Sequence, residues 1–179
     1  MDIFQMKSAD FKYLMSAMKL SVSKSYDRPV LQNIGCKISD GFLTALSCDG
    51  YRLHSLKLPC TVVEGNFDNS FILPITNFRN LKSNNIQIGI TENEVLFDFF
   101  TEKWIKRVEN VKYPDFTNAI PKDESKFEIH VDPRFLQKAC EAFKSSKSVK
   151  IEFRGELTPI ILKRSDEDFI CVLPVRNTK

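Results

Sequence analysis

The residues whose chemistry could support catalysis are scattered in this sequence. His54 and His130 have no acid, nucleophile or second histidine at a spacing typical of a catalytic or metal-binding motif. Asp49 and Asp115 lie next to glycine or proline in segments that predict turns, where aspartate side chains hydrogen-bond the backbone. No glycine-rich phosphate loop, nucleophile elbow or zinc-protease helix is present. The sequence therefore predicts a protein that is not an enzyme, and an unrecognised enzyme is the third hypothesis.

The five cysteines predict neither a structural metal nor a disulfide framework. They stand at positions 36, 48, 60, 140 and 171, an odd number without a Cys-x-x-Cys pair. We expect reduced, mostly buried thiols in a cytoplasmic protein, with no metal and no cofactor. No apolar run reaches membrane-spanning length, and no signal region precedes the first strand-like residues, so we expect no membrane partner.

Basic side chains on the predicted helices could bind DNA. The net charge of +3 permits this but does not require it. Contacts to phosphates would be independent of base sequence and would weaken with salt. A solvated helix face that binds nothing is the alternative. The candidate DNA-facing residues are Lys12, Lys19, Arg79, Lys82, Arg134 and Lys138.

Three segments combine turn signals with apolar strands. Ser47–His54 carries Asp-Gly between two apolar runs, which predicts a hairpin with a type I′ turn. Tyr113–Pro121 is a connector bracketed by prolines, and Phe169–Arg176 is an apolar strand near the end of the sequence. Each segment alone is typical of an ordinary turn, connector or strand.

The elements that must position these segments recur three times. Each repeat of about 50 to 60 residues starts with a strand and a helix and continues with three strands. Ser8–Asp10 supplies an N-cap candidate for the first helix, and Asp132-Pro133 supplies one for the third. The predicted first strands cover residues 2–7, 70–74 and 127–131. The predicted helices cover 11–22, after the cap candidate, 76–81 and 132–144. The later strands cover 31–39, 42–48, 51–59, 85–91, 94–100, 103–110, 149–153, 159–164 and 168–174.

This order predicts an α+β fold of β-α-β-β-β units, with helices on one face of antiparallel sheets. We expect residues 1–121 to form a complete domain from two such units, 1–62 and 63–121. Residues 122–179 would form a half-domain from a single unit.

Taken in order, the three segments resemble the bacterial sliding clamp, the beta subunit of DNA polymerase III. The family's threonine-Asp-Gly-His-Arg-Leu turn corresponds to Cys48–Leu53, and its Phe-Pro-Asp-Tyr connector corresponds to Tyr113–Phe116, followed by Ile120-Pro121. Its C-terminal Met-Pro-Met-Arg corresponds to Leu173–Arg176. The likeness spans nearly the whole chain, which looks like the middle domain of a clamp followed by the second half of the last domain. The resemblance implies a DNA sliding-clamp fold.

The resemblance also implies a pocket for client peptides. In the family this pocket receives short peptides of polymerase, clamp loader and repair proteins, which carry a Gln and an apolar Leu-Phe-like end. The corresponding residues are Arg28, Leu31, Cys48, Gly50, Tyr51, Arg52, Leu53, Pro114, Asn118, Ala119, Cys171, Val172, Leu173, Pro174, Val175 and Arg176. Leu53, Pro114, Val172, Leu173 and Val175 would form apolar walls. The family has other residues at Cys48, Tyr51, Asn118 and Cys171, which bears on which client peptide fits.

Two functions remain open from the sequence. One is a reduced sliding clamp, a DNA replication processivity factor that encircles duplex DNA as an oligomer. The other is a peptide-binding adaptor or decoy that uses the same pocket without encircling DNA. Oligomeric state discriminates between them.

The third repeat has no second unit to cover its apolar surface. Its helix carries Phe135, Leu136, Ala139, Cys140 and Phe143, and an exposed patch of that size is unusual in a soluble monomer. We expect residues 126–179 of two chains to pair about a two-fold axis, which would give a homo-dimer. Two dimers could then supply the six domains of a ring.

Overall fold

The computed structural model describes residues 1–67, 69–77, 83–100, 102–109 and 111–175, without the side chain of Thr117. Two compact units divide the chain, Met1–Asn118 and Ala119–Lys179. Both combine helix with antiparallel sheet, as the α+β prediction requires.

The first unit contains one α-helix and nine strands among its described residues. In chain order these are β1 (Asp2–Lys7), α1 (Ser8–Met18), β2 (Asn33–Ser39), β3 (Phe42–Cys48), β4 (Leu53–Pro59), β5 (Thr61–Glu64), β6 (Phe71–Pro74), β7 (Asn85–Ile90), β8 (Glu94–Asp98) and β9 (Lys103–Arg107). Short 3₁₀ turns cover Pro29–Gln32 and Thr117–Ala119.

The two sheets of the first unit exchange strands between the first and second repeats. Their orders are β5-β1-β7-β8-β9 and β4-β3-β2-β6. Strand β1 therefore pairs with β7 of the second repeat, with Phe4 opposite Ile88, and β6 pairs with β2 of the first repeat, with Leu73 opposite Ile34. This exchange links the two repeats into one unit around a shared core.

Helix α1 supplies the centre of that core. Phe11, Leu14 and Met18 are fully buried on it, as expected for apolar residues three and four apart on one helical face. The Phe11 ring lies 5.8 Å from the Phe97 ring on β8, so the helix packs on strands of both repeats. The helix ends at Met18, and therefore the predicted extension to Val22 was wrong.

The hairpin with two positive backbone angles lies at Asp40-Gly41, not at Asp49-Gly50. Asp40 has φ 51° and Gly41 has φ 77°, as a two-residue type I′ turn requires between Ser39 and Phe42. At the second site only Gly50 has a positive φ, of 92°. The ladder there closes at Cys48 opposite Leu53, which leaves a four-residue loop. The type I′ prediction for Asp49-Gly50 was wrong.

Several other boundaries differ from the prediction. The N-cap of α1 is Lys7, so the cap predicted within Ser8–Asp10 was wrong. Strand β5 was not predicted, and the structure shows Thr61–Glu64 exposed at every residue. Residues 75–77 form no helix, and the rest of the predicted helix over 76–81 lies outside the described residues.

The second unit contains α2 (Pro133–Ala142), β10 (Lys150–Glu152), β11 (Ile160–Lys163) and β12 (Phe169–Val172). The strands form one sheet in the order β10-β11-β12. Asp132 is the N-cap of α2, and its Oδ1 accepts from the Arg134 backbone N at 2.9 Å, which confirms the predicted cap.

Residues 127–131 do not form the predicted strand. They make one isolated bridge, between Val131 and Pro174, and the His130 carbonyl accepts from the Val175 N at 2.8 Å. The core of this unit comprises Ala139, Phe143, Ile160, Leu162 and Val172. Within the described part of the chain, no helix is long and apolar enough to span a membrane.

Candidate peptide-binding site

The loop between β3 and β4 is organised by Asp49. Its Oδ1 accepts from the backbone N of Tyr51 at 2.9 Å and of Arg52 at 2.8 Å. Its Oδ2 accepts from Arg52 Nε at 3.0 Å and Nη2 at 2.6 Å. The hydrogen bonds from the Arg52 side chain, followed by those from the two backbone N–H groups, lower the Asp49 pKa from 3.8 to about 2. The carboxylate is therefore ionised at neutral pH and accepts all four of these hydrogen bonds.

The exposed side chains of this loop differ in chemical character. Tyr51 is 97% exposed, and the Arg52 guanidinium is exposed although it is paired with Asp49. Arg28 lies beside the loop, with its Nη1 3.4 Å from the position that a Cβ on Gly50 would take. The absence of a side chain at Gly50 thus leaves room for the Arg28 side chain.

Two of the predicted pocket residues in this region face the protein interior. Cys48 is buried, and its Sγ accepts from the Gly50 N at 3.3 Å. Leu31 is 5% exposed and packs with Ile72 and Tyr113 in a small apolar cluster. These residues support the surface beneath the loop. Leu53 is half-buried at the start of β4 and offers part of its side chain to that surface.

The connector that follows β9 is anchored by Tyr113. Its ring packs so closely on β2 that a Cβ on Gly35 would lie 2.2 Å from Tyr113 Cδ1, which requires glycine there. Burial raises the pKa of Tyr113 to about 12. The next residue, Pro114, is exposed and lines a groove of about 360 Å³ with Leu46 and Tyr113. Asn118 and Ala119 are exposed at the end of the connector.

The second unit has an apolar groove of about 450 Å³ between α2 and the C-terminal end of β12. Of the predicted pocket residues, Leu173 is 68% exposed and Val175 is 46% exposed, whereas Val172 is buried in the core. Phe135 and Lys138 contribute from the helix. The residues that line the groove are Phe135, Lys138, Ala139, Ile170, Cys171, Val172, Leu173, Pro174 and Val175. Arg176 lies outside the described residues.

The candidate DNA-facing residues divide between the two helices. Lys12 and Lys19 are exposed in the first unit, where Lys19 Nζ donates to Asn77 Oδ1 at 3.3 Å. Lys138 is exposed on α2, and Arg134 forms an ion pair with Asp132. Arg79 and Lys82 were predicted on the second repeat and lie outside the described residues. Over the described ranges, no group of three or more His, Cys, Asp or Glu could hold a metal ion.

Sequence reasoning missed three residues of these surfaces. Tyr113 and Leu46 were not placed in the site, although an aromatic residue before proline in a connector is a signal for an anchor. Phe135 was assigned to a face that another unit covers, because its spacing from Ala139 and Phe143 follows the helical period. In the single chain it lies at the groove, 56% exposed.

Comparison with known proteins decides the family. A family model of the DNA polymerase III beta subunit, central domain, matches residues 5–115, which is more than half of the 179 residues. The chain belongs to the DNA polymerase III beta subunit family. The resemblance of the three segments to sliding clamps is thereby confirmed.

Curated relatives of the chain are beta sliding clamps. That of Halalkalibacterium halodurans is 29% identical over 159 residues, which cover 83% of this chain and 41% of the relative. That of Bacillus subtilis is 32% identical over 133 residues, which cover 70% of this chain and 35% of the relative. The chain thus spans about two fifths of the length of the sliding clamps it matches.

Solved sliding clamps share the fold. The Caulobacter crescentus beta sliding clamp matches with a TM-score of 0.77 at 20% identity, over 96% of this chain and 50% of that one. The DNA polymerase III beta subunit of Thermotoga maritima matches with a TM-score of 0.71 at 18% identity, over 98% and 50%. The predicted sliding-clamp fold of the α+β class is therefore confirmed.

Proposed function

We propose that this protein is a sliding-clamp-like DNA replication factor that binds short apolar peptides of DNA polymerase, clamp-loader and other replication proteins. Its membership of the sliding-clamp family supports the proposal. Its chemistry is binding and not catalysis.

The observation that carries the proposal is the groove on the second unit. Three exposed apolar side chains, Phe135, Leu173 and Val175, line it together with the aliphatic part of Lys138. A leucine or phenylalanine side chain of a peptide that is fully buried in such a groove is stabilised by about 1.5–3 kcal/mol. The groove therefore suits the apolar end of a client peptide.

The loop of the first unit offers polar groups to a ligand. Tyr51 and Arg52 expose hydrogen-bonding groups, and Asp49 keeps their backbone in one conformation before any ligand arrives. A loop that is already ordered loses less conformational entropy on binding. The loop is thus a preformed polar surface of the first unit.

DNA would be bound by the exposed basic residues of the helices. Lys12 and Lys19 on the first unit and Lys138 on the second are the described candidates. A clamp that encircles duplex DNA is the first form of this function. The second form is an adaptor or decoy that binds the same peptides without encircling DNA.

Peptide binding is tested with a fluorescent peptide that carries a Gln and a Leu-Phe end. We expect Leu173→Ala, in the groove of the second unit, to weaken binding by about 1–3 kcal/mol, as truncation of an interface anchor does. Leu20→Ala is the matched control, because Leu20 and Leu173 are both 68% exposed and Leu20 lies outside the proposed site. Fluorescence anisotropy measures the dissociation constants.

Wild-type protein without saturable binding at high micromolar concentration would refute the peptide site. So would equal losses in the Leu20 and Leu173 variants. The two forms of the function are then separated by retention on DNA. A closed ring remains bound to a nicked circular duplex but slides off the ends of the same duplex after linearisation. An adaptor is retained equally on both.

A further inference from the structure

The first two repeats complete each other by exchanging their first strands. Strand β1 leaves its own repeat and pairs along β7, and β6 pairs along β2. The other edge of β1 is paired with β5, the strand that follows β4 at the boundary between the first and second repeats. Each repeat thus donates a strand and accepts one.

The third repeat has the same parts. The N-caps of the two helices, Lys7 and Asp132, mark equivalent positions, so residues 127–131 correspond to the strand that precedes α1. Val131 is bridged to Pro174 in the tail of the same repeat, as β1 is paired with β5. Strand β10 corresponds to β2 and β7, because each is the first strand of a three-strand meander.

The accepting edge of this repeat is empty. Strands β2 and β7 lie inside their sheets, each beside a strand from the other repeat, whereas β10 is an edge strand that pairs only with β11 among the described residues. An open edge with half-exposed apolar side chains is a template for another strand. Ile151 on β10 is 44% exposed and the following Phe153 is 51% exposed.

Burial on the helices points to the same missing neighbour. Counted from the caps, Met15 corresponds to Cys140 and Ala17 to Ala142. Met15 is 6% exposed and its Sδ lies 3.6 Å from Thr76 Oγ1 of the second repeat, whereas Cys140 and Ala142 are exposed. The side of α1 that the second repeat covers is therefore uncovered on α2.

The covered side of α2 faces its own sheet. Ala139 and Phe143, which correspond to Leu14 and Met18, are buried against Leu162 and Val172. The third repeat has thus formed the part of its core that one repeat can form alone. The part still exposed is the part that a second repeat buries in the first unit.

We propose that two copies of this chain pair about a two-fold axis, with residues 127–131 of each copy lying antiparallel along β10 of the other. We infer that a second copy binds this edge, because each third repeat has both a strand to donate and an open edge to accept one. A single symmetric contact between two copies therefore pairs both edges. A partner that contributed only a strand would pair with β10 but would give residues 127–131 no sheet edge to join. The dimer would join two half-domains, 122–179, into one domain.

The pairing of β1 with β7 supplies the register. Phe4 lies opposite Ile88, and Ile88 lies opposite the fully buried Phe97. In the third repeat Ile151 lies opposite the fully buried Leu162. Ile90 also lies opposite a fully buried residue, Val95, but matching Ile151 to Ile90 would set Val131 opposite the partner subunit's Lys147. Ile151 is therefore matched to Ile88, and the residue equivalent to Phe4 is Ile129. Ile129 of one copy would therefore face the partner subunit's Ile151. Val131 would face the partner subunit's Val149. The rings of Phe127 and Phe153 lie 6.2 Å apart within one chain, and in the dimer Phe127 would exchange this contact for the partner subunit's Phe153, so every inward pair is apolar.

Solution mass tests the dimer, with a matched pair of variants. Phe153 and Phe169 are 51% and 54% exposed in the same unit, but Phe169 lies opposite Lys163 on the other face of the sheet. We expect wild type and Phe169→Glu to have twice the chain mass of 20.7 kDa by light scattering and Phe153→Glu to have the mass of one chain. A monomeric wild type at high micromolar concentration, or a dimeric Phe153→Glu, overturns the proposal.

Disulfide trapping decides the matter if Phe153→Glu fails to fold. The exposed Cys140 and Cys171 are first replaced by serine, and Ile129→Cys and Ile151→Cys are then made in separate chains. We expect mild oxidation of the mixture to produce a covalent dimer, and either variant alone to produce much less. A mixture that yields no more dimer than the single variants overturns the proposed register and with it the proposed pairing. Neither test uses a client peptide, so the outcome is independent of the peptide site.

Discussion

At the scale of single residues, close packing decides which side chains are available to a ligand. Tyr113 fills the space above Gly35 and holds the connector to β2, and this contact leaves the next residue, Pro114, exposed on a groove. Asp49 acts in the same way on its loop, since its carboxylate occupies the two backbone N–H groups and leaves the side chain of Tyr51 exposed. Residues that bind nothing themselves therefore position the residues of the proposed site.

Gly35→Ala should destabilise the first unit. A Cβ there would lie 2.2 Å from Tyr113 Cδ1, so the ring must move, and we expect a loss of about 1–3 kcal/mol in the free energy of unfolding, as for overpacked cores. Urea denaturation measures it. The same substitution in a Tyr113→Ala background is the control, and its cost should shrink because the clash is gone. Equal costs in the two backgrounds would show that the ring contact is not the cause.

At the scale of elements, the position of a turn is decided by the ladder on both sides of it. Asp40-Gly41 joins β2 to β3 with two residues, and both adopt positive φ because the strands pair up to Ser39 and Phe42. Asp49-Gly50 has the same two residue types, but there the Asp49 side chain bonds forward to the backbone of Arg52, and the strands stop at Cys48 and Leu53. The same dipeptide thus gives two different turns.

Asp40→Val tests the turn that has positive φ at both positions. We expect it to lower the free energy of unfolding by about 1–2 kcal/mol, because a β-branched side chain is strained in the left-handed region, which aspartate and asparagine tolerate. Asp40→Asn is the matched control and should be nearly neutral, since asparagine tolerates this conformation. Chemical denaturation of the three proteins measures the difference. If valine and asparagine have the same effect, φ at residue 40 does not limit the stability of the hairpin.

At the scale of the whole molecule, the charge of +3 is too small to bind DNA by itself, so the distribution of basic residues matters. Lys12 and Lys19 lie on or directly after α1. A second basic pair, Lys37 and Lys57, is also exposed but lies on the outer face of a sheet, in one row with Thr44. The two pairs therefore offer the same charge change on two different surfaces.

Charge reversal at Lys12 and Lys19 should weaken DNA binding much more than reversal at Lys37 and Lys57. Each phosphate contact that is lost should also reduce the salt slope of the logarithm of the binding constant by about 0.9. Binding of wild type and both double variants to a linear duplex, measured at several salt concentrations, tests this. Equal losses in the two variants would point to a general charge effect, and a marked preference for one base sequence would contradict contacts made to phosphates.

Patterns within one element were sufficient to predict much of this structure. Strand β1, the cap of α2 by Asp132 and the three meanders of three strands could be predicted from alternation, helical spacing and cap residues. These features depend on hydrogen bonds and side-chain periods within a few residues, which the sequence contains directly. The three segments that carry the family likeness were found in the same way.

The tertiary structure alone decided which strands pair and which side chains remain at the surface. The exchange of β1 and β6 between repeats cannot be read from either strand, because a strand accepts any partner whose edge and apolar face match it. Leu31 and Val172 have the composition of pocket walls, yet both are buried in cores that form over long sequence separations. The residues 127–131 have the alternation of a strand but form only one bridge. A strand requires a neighbour, and local sequence supplies the pattern but not the neighbour.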